Sequence, residues 1–199
     1  MKVRFHLPPD ADGWPPVANE GLWAEPLGND LYRIDNTPWF ALDLATDDIV
    51  VARPGDDGRL WAVEKQAWSG HMTFRVIPWK DGPLEGDRQA VLDAFAPLGV
   101  IGKGLAQFGM VALDVPPGAD LGRVKMLLRS GQADGRWDFD EGCIPEEWKE
   151  VYTPLRAALD ERLRPFGKGS AGRLATAVAG SSSVKLAVKV VVKQAATLA

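Results

Sequence analysis

The sequence predicts an α+β protein: an N-terminal small curved β-sheet or barrel, then a ferredoxin-like βαββαβ module and a C-terminal helix. Three observations predict it. From Glu20 to Pro78 the chain is a run of short strand-like strings, GLWAEPL, LYRID, DIVVAR, RLWAVEK and HMTFRVI. They are cut by GND, NTP, PGDDG and WSG, residue sets that turns favour. From His71 onward the rhythm changes to strand, helix, strand, strand, helix, strand, which is the ferredoxin-like order.

Each element follows from local pattern. VRFHL (3–7) reads as a first strand, and the proline-rich PPDADGWPPVANE after it as an extended loop. Five short strands at close spacing then suggest a barrel or a strongly curved sheet. RPGDDGRLW is a hairpin turn in which Gly58 takes a positive φ. DRQAVLDAFAPLG places Val91, Leu92, Phe95 and Leu98 three and four apart, so it is an amphipathic helix that Gly99 ends. Two strands follow near 100–105 and 108–115, and Pro116 and Pro117 stop the second. Asp120 caps LGRVKMLLRSG, whose Leu121, Val124, Leu127 and Leu128 share a face, with Gly131 at its end. GRWDFDE is a short strand. PEEWKEVYTPLRAALDERL is the terminal helix, with Pro145 and two acids in its first turn and Pro154 at a kink or break. Residues 1–69 thus form the small β module and 70–166 the α+β module. Residues 167–199 form a flexible basic tail of small residues with Lys185, Lys189 and Lys193. It reads as a translated vector segment or a native extension, and it is kept out of the fold argument.

Composition narrows the function classes. The 199 residues are 46 % hydrophobic and 25 % charged, which suits a globular chain with a real core. The net charge of −4 hides an asymmetry. Residues after Phe166 carry five basic side chains and no acid. Taking those five from 23 leaves 18 against 27 acids, a net of −9 for residues 1–166. An acidic body repels phosphate, so no nucleic acid is expected as partner. The single cysteine excludes an internal disulfide. No apolar h-region opens the chain and no apolar run approaches the length of a membrane span, so the expected location is cytoplasmic with no membrane span. Eight Trp point either to core filling or to a binding surface.

The strings LWAEPLGNDLYRIDNTPWFA, SGHMTFRV and MVALDVPPGADLGRVKMLLRSGQADGRWDFDEGCIPEEW resemble an uncharacterised bacterial family, mainly actinobacterial, catalogued as domain of unknown function 4265. The resemblance covers roughly residues 15–150. It implies a compact cytoplasmic protein of this length and brings no activity with it.

Few residues carry chemistry. His71, Thr73 and Arg75 alternate along one strand and form a polar row: a base or anion site beside an arginine, or a solvated edge. Asp138, Asp140, Glu141 and Cys143 crowd WDFDEGC, offering paired carboxylates or an exposed acidic face. Cys143 precedes a helix start and pairs on paper with His71 as nucleophile and base, or is a small packing residue. With two histidines and one cysteine, a zinc site of several His or Cys ligands is excluded; the Asp138–Glu141 carboxylates leave a Mg or Ca site open, but no metal or cofactor is expected. GVIGKG has the wrong order for a phosphate loop. The expectation is therefore a non-catalytic cytoplasmic binding or regulatory protein, of the inhibitor or immunity type, for a basic macromolecular partner. A protein partner is favoured over a small molecule. Its binding residues are Arg75, His71, Trp39 and Trp68. The alternative is a small enzyme with its active site between the two modules, using His71, Arg75 and the Asp138–Cys143 segment, with His71, Glu141 and Cys143 as catalytic candidates.

Overall fold

The computed structural model describes residues 1–11, 13–145 and 148. Nine strands and two helices lie within them. Strands β1 (Lys2–His6), β2 (Asn19–Gly28), β3 (Leu31–Ile34), β4 (Ile49–Pro54) and β5 (Leu60–Ala67) form a closed barrel in sequence order. Neighbours are antiparallel except at the seam, where β1 meets β5 in parallel through Val3–Leu60 and Arg4–Trp61. The barrel is thus closed by the N-terminal strand. The HMTFRVI segment, the last of the strand run, goes to the second sheet. Strand alternation explains the inward set: Val3, Leu22, Ala24, Ile34, Val50 and Ala52 are all buried. The β4–β5 hairpin turns where Gly58 takes φ 70°, and the Asp57 carboxylate accepts from Arg59 N at 3.0 Å.

The second sheet contains β6 (Met72–Pro78), β7 (Ile101–Leu105), β8 (Met110–Val115) and β9 (Trp137–Cys143), in the order β7-β8-β6-β9, every neighbour antiparallel. Helix α1 (Arg88–Phe95) joins β6 to β7, and α2 (Leu121–Ala133) joins β8 to β9. Asp87 and Asp120 cap the two helices, their carboxylates accepting from Gln89 N and Arg123 N. Gly99, at φ 73°, turns the chain out of the α1 segment. Phe95, Val111, Leu113, Val124 and Leu128 are buried together on the helix side with Phe74 and Trp137, and Leu92 packs against them.

One helix end differs from expectation. Gly131 does not end α2, which runs to Ala133. Gly131 is buried under Trp137, where a Cβ would overlap the indole ring. Trp137 is fully buried and donates its ring N–H to Leu128 O at 3.1 Å. The glycine is there for close approach. The turn comes at Gly135, φ 68°.

The strand β6 is buried along its whole length, because both faces of the sheet are covered. Met72, Phe74 and Val76 face the helices. The other face meets the barrel and the loop between β3 and β4. Ile77, Phe108 and Met110 join one core with the barrel residues and with Phe40, Ala41 and Leu44 of that loop. The expected C-terminal helix, apart from Trp148, and the tail from Gly167 lie outside the described residues.

Candidate functional site

The barrel and the second sheet meet along a polar seam, held by the loop 35–48. Its apolar residues Phe40, Ala41, Leu44 and Ala45 are buried, so its backbone needs partners. They come from distant side chains. The Glu20 carboxylate, buried on β2, accepts from three consecutive amides: Trp39 N at 2.7 Å, Phe40 N at 2.9 Å and Ala41 N at 2.9 Å. Asp43 N donates to Gly142 O at 2.8 Å, tying the loop to β9. Thr73 Oγ1 donates to Leu44 O at 3.1 Å. Asp48, fully buried, accepts from Ala45 N at 2.8 Å and Ser69 N at 2.7 Å and pairs with Lys65 Nζ at 2.7 Å.

Arg75 belongs to this seam. It is 3 % exposed, its Nη2 paired with Asp140 and its Nη1 donating to Phe40 O at 3.3 Å. Neither a solvated edge nor an open polar face describes it: β6 is an interior strand and the loop lies over the row. The expected acidic face of β9 is likewise buried. Asp138 is 2 % exposed and Asp140 5 %. Asp138 accepts from Gln132 Nε2 at 2.5 Å, and burial pushes its carboxyl above the ordinary range against that hydrogen bond.

His71 sits where the seam opens. Its Nδ1 lies 2.8 Å from Asp114 Oδ1, and its Nε2 lies 3.7 Å from Asp47 Oδ2. Asp114 is buried on β8. Burial raises its carboxyl, and the His71 hydrogen bond and charge oppose the rise. The His71 backbone N–H donates to Ser69 Oγ at 3.1 Å, and Ser69 Oγ in turn donates to Thr46 O at 2.7 Å. Trp68, 45 % exposed, donates its indole N–H to His71 O at 2.7 Å.

The structure brings some candidates together and separates others. His71 and Trp68 meet. Arg75 meets Asp140, far apart in sequence but paired in register on neighbouring strands. Trp39 is half-buried against the barrel core, tied to Glu20 through its amide. Cys143 does not pair with His71. Its row runs Asp114–Thr73–Cys143 across the sheet, and its Sγ lies 3.8 Å from Lys65 Nζ. Burial pushes its thiol up, with Lys65 opposing, so thiolate is disfavoured. Glu141 stands opposite Phe74 and accepts from Trp148 Nε1 at 3.2 Å, on the helix side. Sequence reasoning missed Glu20, Asp48, Lys65 and Asp114. A signal existed for Asp114, a lone acid inside the apolar run MVALDV. Glu20 and Asp48 carried none, since their partners are loop amides. Among the described residues no three His, Cys, Asp or Glu are grouped to hold a metal ion, and no helix is long and apolar enough to cross a membrane.

Fold and seam together define an α+β protein in which a closed barrel is tied to a helix-backed sheet by one partly buried loop. The chain belongs to the family described as a domain of unknown function, DUF4265, whose model matches residues 20–139. That span starts at the Glu20 clamp and includes Asp48, Ser69, His71 and Asp114. A solved structure described as a novel crystal structure of a hypothetical protein from Neisseria gonorrhoeae is similar in fold. Its TM-score is 0.59 at 20 % identity, covering 72 % of this chain and 95 % of that one. No curated protein matches the chain.

Proposed function

We propose that this is a non-catalytic binding protein, of the inhibitor or immunity type, whose acidic body docks a basic protein. The observation that carries the reading is how the seam divides its side chains. Arg75, Asp138, Asp140 and Cys143, the side chains an enzyme between the modules would need, are buried and engaged within the protein. Exposed along the same seam are Leu42, Asp43, Asp47 and Trp68, together with Lys65. Apolar and aromatic area flanked by carboxylates suits a basic protein surface better than a small molecule. The nearby cation, Lys65, is occupied by Asp48 and by Asp43 O at 2.8 Å. The net of −9 over residues 1–166 supports a basic partner and disfavours nucleic acid. We read the second sheet as a ferredoxin-like module; its strand order, with a βαβ connection through each helix, supports this.

The enzyme reading has one specific support, the 2.8 Å His71–Asp114 contact, an arrangement that orients a histidine for proton transfer. The outward nitrogen of that ring is turned toward Asp47, which is an acid and not a nucleophile to be activated.

The test is capture of the partner from native cells, followed by affinity measurement with the purified partner across a salt series. Asp43 and Asp47 both sit at positive φ, 53° and 63°, so each is changed to Asn, which tolerates that backbone. The reading expects a basic partner, weaker binding as salt rises, and at least a tenfold loss in the Asp43→Asn, Asp47→Asn double variant. Capture of no basic protein, or an affinity indifferent to both salt and the double variant, would overturn it.

A further inference from the structure

We propose that Trp68, His71 and Asp47 form a notch that takes an arginine side chain of the partner. The inference rests on the binding reading above and deepens it by naming the recognised group. Two exposed groups of opposite function converge on one residue. The Trp68 indole, 45 % exposed, is fixed through its N–H to His71 O at 2.7 Å, so its polar edge is engaged within the protein. The Asp47 carboxylate, with a side chain 53 % exposed, lies 3.7 Å from Nε2 of the same residue's ring. Trp68 and Asp47 are thus both anchored on His71, one at its backbone oxygen and one at its ring.

The exposed carboxylates here are Asp43 and Asp47. Lys65 is held by the buried Asp48 at 2.7 Å, and Asp43 beside it is exposed. The floor is rigid: Asp114 holds the His71 ring, and Ser69 and Thr46 fix the turn that carries it. Rigid aromatic and acidic groups lose little entropy on binding. Of the two basic side chains, arginine fits both features at once. Its planar guanidinium stacks on an indole and donates in parallel to a carboxylate, whereas a lysine ammonium is a compact, strongly hydrated point charge. The partner chemistry is therefore an arginine presented from a basic protein surface.

The experiment compares two defined probes, an acetylated, amidated (Gly-Arg)4 peptide and its (Gly-Lys)4 counterpart, titrated into the full chain at low salt. The proposal expects the arginine peptide to bind at least fivefold more tightly. Trp68→Ala should bring the ratio to about one, and Asp47→Asn should weaken the arginine peptide more than the lysine peptide. Trp68→Phe loses the hydrogen bond to His71 but keeps an aromatic face, so it should retain most of the arginine preference; this separates recognition from mere support of the turn. Equal affinities in the parent chain, a ratio that survives Trp68→Ala, or no binding of either peptide overturns the notch. The two proposals fail separately. A basic partner captured by the parent chain with an affinity indifferent to Trp68→Ala sinks the notch alone, and failure to capture any basic partner sinks the binding reading.

Discussion

Replacing Arg75 by Ala separates a buried structural ion pair from a surface binding residue. The guanidinium is 3 % exposed and is paired with Asp140, itself 5 % exposed. It also donates to Phe40 O at 3.3 Å, so it ties β6 to both β9 and the loop. Arg75→Ala leaves the Asp140 carboxylate buried without its guanidinium and leaves a void. Breaking such a pair from one side costs about 3–5 kcal/mol. The Arg75 Nε has no hydrogen-bond partner among the described residues, which keeps the cost within that range rather than above it. Removing both charges should be far milder, because apolar replacements of similar volume are often neutral. Urea unfolding of the parent, Arg75→Met, Asp140→Leu and the double variant gives the coupling directly. The structure predicts a coupling of at least ~2 kcal/mol, with the double variant more stable than Arg75→Met. A single-variant loss below ~1 kcal/mol would refute the buried pair, and an Arg75→Met chain that stays folded yet loses its partner would make Arg75 a contact residue.

Three further outcomes follow from the packing and the titrating groups. Gly131→Ala gains at most about 1 kcal/mol of helix propensity, but its Cβ meets the fully buried Trp137 ring, so a net loss of ~1–3 kcal/mol is expected in thermal or urea unfolding. A stabilised Gly131→Ala chain would show that α2 and β9 are not in close contact. Glu20→Ala removes the carboxylate that accepts from three amides, and the loop amides of Trp39, Phe40 and Ala41 should lose hydrogen-exchange protection along with ~2–4 kcal/mol of stability. Unchanged protection there would contradict the clamp. Burial raises the Asp138 carboxyl in the native state, so the folded chain keeps a proton that the unfolded chain releases. Stability from this group is therefore present at low pH and declines as pH rises from about 4 through the raised native value. Asp138→Asn should flatten part of that decline in melting temperature as pH rises above about 4; Asp114, raised in the same direction, supplies another part. An unaltered slope would mean that Asp138 is hydrated.

Much of the fold is legible in the sequence because its signals are local. Alternation marks the barrel strands, Asp120 marks a helix start by its capping carboxylate, and Gly99 marks a helix end by its positive φ. What is not legible depends on contacts far apart in sequence. The parallel pairing of β1 with β5 is set by barrel geometry and has no local signature. Gly131 reads as a helix end because the ring that excludes a Cβ there arrives six residues later. Alternation places His71, Thr73 and Arg75 in one row, yet the exposure of that row depends on the loop 35–48, which has no apolar period. Phe40, Ala41, Leu44 and Ala45 of that loop are buried with its backbone satisfied by Glu20, Asp48 and Thr73, a partnership invisible to pattern. The same cover buries Asp140, while alternation along β9 turns Glu141 to the opposite side of the sheet, with Phe74.

The central claim, that a basic partner docks on the exposed rim of the seam, is tested most directly by site-specific photocrosslinking in native cells. A benzophenone side chain at Leu42, 59 % exposed on the loop, probes the rim, and one at Met126, 65 % exposed on α2, probes the helix-covered side. The account predicts one strong adduct to a basic protein from Leu42, diminished by Asp47→Asn, and none of the same mass from Met126. Adducts of equal yield from both positions, or none from Leu42, would contradict it.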